Sequence, residues 1–325
     1  MIDVLTIGET MSLVTPATRG SLESAPEFVV RTAGAESNVA IGIAGLGHSA
    51  AWASRLGNDS LGRRVLAHVR SAGVDVGAVV LADGERTGVM FKGADGNESE
   101  VIYYRGDSAA SRLSVADIPD SPAAVIHLTG VTAALSPTAE EVVRSVLVHR
   151  IVPAALRSFD VNHRARLWAG RDASQILLPL AAAADILFVG LDEAAVLWGT
   201  HEPAAVRALF AHVPTLIVKD AETGATEFAG DVATFVPSLS VTVVDPVGAG
   251  DAFAAGWLGG RIRNLDASHR LRLGHICAST ALVSVEDQGS LPSARLLDTL
   301  LALDDSAWQR LAFDGRWTIE GKELS

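Results

Sequence analysis

Val243-Val244-Asp245-Pro246-Val247-Gly248-Ala249-Gly250-Asp251-Ala252-Phe253 is the stretch on which the reading of this chain turns. The apolar run Val241 to Val244 predicts a buried strand, and Ala252 to Leu258 an apolar helix, with a turn of small residues between them. Glycines at 248 and 250 let the backbone take unusual dihedrals and approach a ligand closely. The turn aims N–H groups at the space above the helix N-terminus, where the dipole favours an anion. Asp251 stands at that mouth, placed to accept a proton from a hydroxyl that attacks a phosphate. Gly248 to Asp251 equally suit a plain helix start, with Asp251 as a cap.

Outward from this turn, strands and helices alternate. Upstream lie a first strand at Asp3–Gly8, a small polar turn at Thr32–Asn38 opening a helix over Val39–Leu46, a strand at Ala50–Arg55 and a helix at Leu61–Ser71. From Ala123 the strands Val125–Thr129, Leu156–Val161, Asp185–Val189 and Thr215–Lys219 alternate with helices at Thr138–Leu147, Ala173–Ala183, Glu193–Trp198 and Pro203–Phe210. This predicts the α/β class: one domain over residues 1–325, a mostly parallel sheet covered on both faces, and ligands at the carboxyl ends of its strands. Residues 87–106 break the pattern as a hairpin turning at Gly93-Ala94-Asp95-Gly96-Asn97. With residues 11–32 they predict a small appended sheet. A second hairpin, Thr226–Pro237, turns at Gly230-Asp231, and helices at Ser268–Val285 and Ser293–Leu303 follow the central turn. Residues 306–325 carry Trp308 and Trp317 but no readable motif.

With 325 residues, 49% of them hydrophobic, the chain can bury a large core. A formal charge of −12 without a basic cluster argues against nucleic acid or an anionic membrane as partner. An anionic substrate must then be captured by a few local cations. The single cysteine, Cys277, excludes an internal disulfide and reads as a core thiol. With no secretory leader at Met1-Ile2-Asp3 and no bilayer-length apolar run, a cytoplasmic protein is expected.

Several polar residues fall at predicted strand ends, on one face of the sheet: Asp160, Asn162, Lys219 and the 245–251 turn, with Glu193 just after another strand. Glu193 suits a magnesium ion held through water, or a glutamate meeting the dipole of its own helix. Lys219 suits phosphate charge, or a solvated strand end. In Tyr103-Tyr104-Arg105 strand alternation turns one tyrosine inward and one outward, and Arg105 can fork onto a carboxylate.

Two blocks, Ala33-Gly34-Ala35-Glu36-Ser37-Asn38-Val39-Ala40 with Gly45-Leu46-Gly47, and Asp245 to Phe253, resemble the ribokinase-like (PfkB-type) carbohydrate kinases over nearly the whole chain. The resemblance implies a three-layer α/β fold with a small β-sheet lid, ATP as donor, Mg²⁺ with a monovalent cation as a further candidate, and phosphorylation of a primary hydroxyl. It implies Asp251 as base, the Gly248, Ala249 and Gly250 amides as anion hole, and Gly34 and Asn38 in the sugar site. Lys219, Gly224, Gly248 and Gly250 would meet the nucleotide, and Glu193 the metal through water. A homodimer through the lid is expected.

Within the family, Gly8-Glu9-Thr10, Tyr103 to Ser111 and Asp160 to Trp168 look like 2-keto-3-deoxygluconate kinases. That likeness implies Tyr103, Arg105 and Arg164 as contacts for a sugar acid. Two arginines beside the substrate suit a carboxylate and would have no use in a neutral-sugar site. Three positions depart from the pattern: Gly190 where asparagine is common, Ala221 within Lys219 to Gly224, and Met90 in place of an aromatic. The expected activity is ATP-dependent phosphorylation of 2-keto-3-deoxy-D-gluconate. The alternatives are a fructokinase or other neutral-sugar kinase of the same fold, or a sugar-binding regulator without catalysis.

Overall fold

The computed structural model describes every residue except 19, 96, 97, 153, 154, 285–288 and 325. Among these residues the main sheet has nine strands. Seven run parallel, from Val79–Ala82 at one edge through Ala50–Gly57, Ile2–Ile7, Ala123–Thr129, Leu156–Asp160 and Ile186–Gly190 to Thr215–Asp220. The hairpin Gly224–Ala229 and Val232–Pro237 extends the far edge antiparallel, the only sense a short link after Asp220 permits.

Strand sequence sets the layering. Successive side chains point to opposite faces, so Phe188 and Ile217 enter one core while Leu187, Val189, Leu216 and Val218 enter the other. The helices Ala35–Gly45, Ala249–Ile262 and Ala267–Leu282 contribute to the first core, and Pro137–Leu147, Ala173–Ala182 and Leu191–Trp198 to the second. Being covered on both sides, the central strands read as continuous apolar runs. Register then levels their ends: Gly190 lies opposite Lys219, and Thr129 opposite Asp160.

A separate sheet pairs Phe28–Ala33, Met11–Pro16, Val89–Asp95 and Glu98–Tyr104 in that order. Gly96 and Asn97 of the expected turn lie outside the described residues.

The chain departs from expectation where helices start. Ala35–Gly45 begins before Val39, because Gly34 in extended backbone opens it and its carbonyl accepts from Asn38 N at 2.8 Å. Glu36, Ser37 and Asn38 therefore stand inside the helix. Ala249–Ile262 likewise begins ahead of Ala252. A helix at Gly130–Leu135, unseen in the sequence, is capped by Thr129, whose Oγ1 accepts from Val131 N at 3.1 Å. The end expected at Val285 lies outside the described residues; the helix runs Ala267–Leu282.

The Val241–Val244 strand is a correction. Only Ser240–Val241 is extended, and it pairs with Leu311–Phe313 outside the main sheet. Val244 N and Asp245 N turn aside to donate to Leu282 O at 2.7 and 3.2 Å, which leaves Val243 55% and Val244 46% exposed. The segment past 306 is ordered against the first core. Strands Leu311–Phe313, Trp317–Ile319 and Lys322–Glu323 form a small sheet, and Trp308, Phe313 and Trp317 are buried. The Arg272 guanidinium stacks 4.9 Å from the Trp308 ring and donates to Leu301 O at 3.3 Å, closing the end of the helix Ala294–Leu301. No helix among the described residues is long and apolar enough to cross a membrane.

Burial also fixes two histidines as neutral. It pushes His127, bonded to Ser158 Oγ at 2.8 Å, and His275, beside Val236 O, from 6.5 down to about 4. Below pH 6.5 the unfolded chain takes up protons that the folded protein refuses, so stability falls as pH drops towards 4. The loss reaches about 3 kcal/mol for each histidine. Urea unfolding at pH 7.5 and 5 measures it, and His127→Gln removes its share of the decline. Burial likewise pushes the Cys277 thiol up to about 12, which leaves it inert.

Candidate active site

The rim of parallel strand ends, the turn before Ala249–Ile262 and the inner face of the small sheet enclose one cleft. Gly34, Asn38, Tyr103, Arg105, Asn162, Arg164, Gly248 and Asp251 line it. At its floor Asp251 is only 7% exposed. Its two carboxylate oxygens accept one amide each, from Asn38 Nδ2 at 3.0 Å and from Asn162 Nδ2 at 3.1 Å. Asn38 reaches it because Gly34 starts the helix one turn earlier. A Cβ at Gly34 would stand 2.6 Å from Glu9 O and 2.8 Å from Thr10 Cα, so only glycine lets these two chain segments cross. Asn162 reaches it from a left-handed backbone, φ +38°, in which its N–H meets Asp160 Oδ1 at 3.2 Å. Asparagine tolerates that conformation better than most residues.

The central turn is built as an anion nest. Gly248 takes φ +83° as the helix N-cap, and no side chain caps the first turn. A Cβ at Gly250 would lie 3.6 Å from Lys219 Nζ, which places the ammonium beside these amides. Lys219 donates to Asp160 Oδ2 at 2.7 Å. Burial alone would lower its pKa, but Asp160 and Glu193 beside it outweigh burial and hold it above the ordinary lysine value. The cation is therefore fixed and charged. An N-terminal turn with a lysine behind it fits a phosphate group.

Glu193 is engaged locally. Its oxygens accept Gly190 N and His163 N, each at 2.8 Å, closing the start of Leu191–Trp198. Burial raises its pKa against the opposing pull of Lys219. Among the described residues no three histidine, cysteine or acidic side chains converge as a metal cage.

At the other wall Tyr103 faces the cleft while Tyr104 is 65% exposed, as strand alternation requires. Arg105 lies 5.6 Å from the Tyr103 ring and ion-pairs with Glu9. Its buried Nε has no hydrogen-bond acceptor, while Nη2 is held by Glu9. Arg164 is exposed at the mouth. Met90 lines the same cleft. Gly224 ends the turn after Lys219 at φ +145°, and Ala221 holds a left-handed φ of +39° that glycine would take at lower cost. Lys92 of the small sheet ion-pairs with Asp245 of the nest turn, and Arg166 Nη1 donates to Val101 O at 2.6 Å, tying the two sheets together.

Three side chains carry more of the site than their sequence signal suggested. Asn162 grips Asp251; its only cue was the Asp160-x-Asn162 spacing at a strand end. Glu9 meets Arg105, and Ser108 Oγ donates to Glu9 Oε1 at 2.7 Å. Glu36, fully buried, accepts Thr129 Oγ1 at 2.7 Å and Thr132 Oγ1 at 2.6 Å, and burial raises its pKa. No periodicity marks a residue whose partners lie some ninety positions away.

A family signature described as pfkB family carbohydrate kinase matches residues 1–294. The chain is 31% identical over 318 residues to the 2-dehydro-3-deoxygluconokinase of Bacillus subtilis, covering 95% of this chain and 98% of that protein. It is also 31% identical over 321 residues to fructokinase-1 of Oryza sativa, covering 94% and 98%. Among solved structures, a PfkB protein from Polaromonas superposes with a TM-score of 0.82 at 34% identity, over 93% of this chain and all of that one. The fold is accordingly ribokinase-like. The chain belongs to the pfkB family of carbohydrate kinases and is a phosphotransferase acting on an alcohol group.

Proposed function

We propose that this kinase phosphorylates the terminal hydroxyl of 2-keto-3-deoxy-D-gluconate with MgATP. The observation that carries the reading is Arg105, a buried guanidinium whose Nε has no acceptor, in the same cleft as Asp251. An unmet buried donor is costly, and a substrate carboxylate satisfies it with a charge-assisted bond. Arg164 at the mouth adds a second positive charge, whereas a fructose-type substrate offers neither arginine an anion. The likeness to a 2-dehydro-3-deoxygluconokinase favours the same choice, and the equal identity to a fructokinase keeps the neutral sugar as the rival.

In the reaction the sugar hydroxyl lies near Asp251, with Gly34 and Asn38 on its flank. Asp251 takes the hydroxyl proton as oxygen bonds to the γ-phosphorus and the bond to the ADP oxygen breaks. Most of the proton moves late, because a loose transition state asks little basicity early. Asn38 and Asn162 hold the carboxylate in place. The Gly248, Ala249 and Gly250 amides and Lys219 face the charge on the transferred phosphoryl. Mg²⁺, when bound, offsets charge on the phosphate chain, and Glu193 would hold it through water. The small sheet acts as a lid that excludes water and serves as a dimer contact.

Coupled ADP release over a panel of sugar acids and neutral sugars tests the substrate. The sugar acid is expected to give the highest kcat/KM by at least tenfold. A higher value for fructose overturns the reading.

A further inference from the structure

We infer that Glu9 is a positioning residue that sets acid recognition by holding the Arg105 guanidinium against the wall of the cleft. The inference deepens the sugar-acid reading and rests on it. Glu9 follows the strand Ile2–Ile7, whereas Arg105 follows Glu98–Tyr104 of the small sheet. The contact therefore bridges the two sheets. The Glu9 carboxylate is almost wholly buried, with 1% of its side chain exposed against 10% for Arg105. One oxygen accepts Ser108 Oγ at 2.7 Å. The other pairs with Arg105 Nη2.

That arrangement has a direct consequence for the arginine. A linear bidentate pair with Glu9 would consume the side-on edge of the guanidinium. Contact with one Glu9 oxygen at Nη2 leaves Nε without an acceptor, while charge attraction keeps the group from swinging into solvent. The Tyr103 ring 5.6 Å from the guanidinium restrains it from another direction. Glu36, fully buried nearby, has its pKa raised by burial, which the Arg105 charge opposes only in part. A carboxylate buried at this depth is expensive unless paired, so Glu9 and Arg105 are mutually required. The positive charge of Arg105 is thus largely met inside the protein. Arg105 contributes direction, and Arg164 at the mouth contributes net charge.

The test is a double-mutant cycle measured as KM and kcat for the sugar acid, with thermal melts of every variant. Glu9→Ala is expected to raise KM about tenfold or more with kcat changed less than threefold. Glu9→Gln, whose amide oxygen can still face Arg105 while Ser108 turns to accept from the amide, recovers most of the loss. In an Arg105→Ala background Glu9→Ala adds less than twofold to KM. Should Glu9→Ala fold poorly, Ser108→Ala loosens the same carboxylate without removing it. It raises KM about threefold, again only when Arg105 is present. Equal KM effects with and without Arg105, or Glu9→Gln behaving like Glu9→Ala, overturns the inference. An Arg105→Ala variant that loses no more on the acid than on fructose instead overturns the sugar-acid reading itself.

Discussion

Asp251→Asn is expected to lower kcat by about 10³-fold while sugar affinity stays within about threefold. A positioned general base contributes roughly 10²–10⁴-fold. Asparagine keeps the size and shape of the side chain but cannot take the proton. The two amides that grip Asp251, from Asn38 and Asn162 at 3.0 and 3.1 Å, can turn to meet the new amide, so the cleft keeps its outline. Coupled ADP release gives the rate, and calorimetric titration of the sugar gives the affinity. A variant that keeps more than a tenth of its turnover removes Asp251 from the role of base.

Arg105→Ala is expected to lower kcat/KM for the sugar acid by about 10²-fold or more, and far less for fructose. A hydrogen bond to a charged group is worth about 1.5–3 kcal/mol, and the buried Nε of Arg105 offers one. The loss belongs mainly in KM, since the carboxylate is bound alike in the ground and transition states. Steady-state kinetics on both sugars in parallel measures it. Equal losses on the two substrates would mean that Arg105 reads no carboxylate.

Most of the architecture was legible because it rests on short-range pattern. Apolar runs such as Ile186 to Val189 are continuous where both faces are covered, and their spacing by helices dictates a parallel sheet. The nest turn was legible for the same reason, as glycines, proline and aspartate lie within seven residues. What failed was the edge of some elements. Val241 to Val244 has strand composition, yet a single carbonyl, Leu282 O, pulls two of its N–H groups out of any ladder. Glu36 to Asn38 read as a polar turn, because side chains that are polar for the sake of a buried site look the same as polar residues facing water. The clamp on Asp251 was half legible: Asn38 sat in a readable block, while Asn162 depends on a left-handed backbone that its sequence does not announce. Glu9, Arg105 and Ser108 were each in view, but only folding brings residues 9 and 105 together.

The strand at Ser240–Val241, which leads into the nest turn, has as its partner Leu311–Phe313, beyond the matched stretch 1–294. Residues 308–324 thus form a splint on the segment that leads into the 245–251 turn. Shortening it or fusing bulk to it is expected to disturb the turn that carries Asp251 before it disturbs the main sheet.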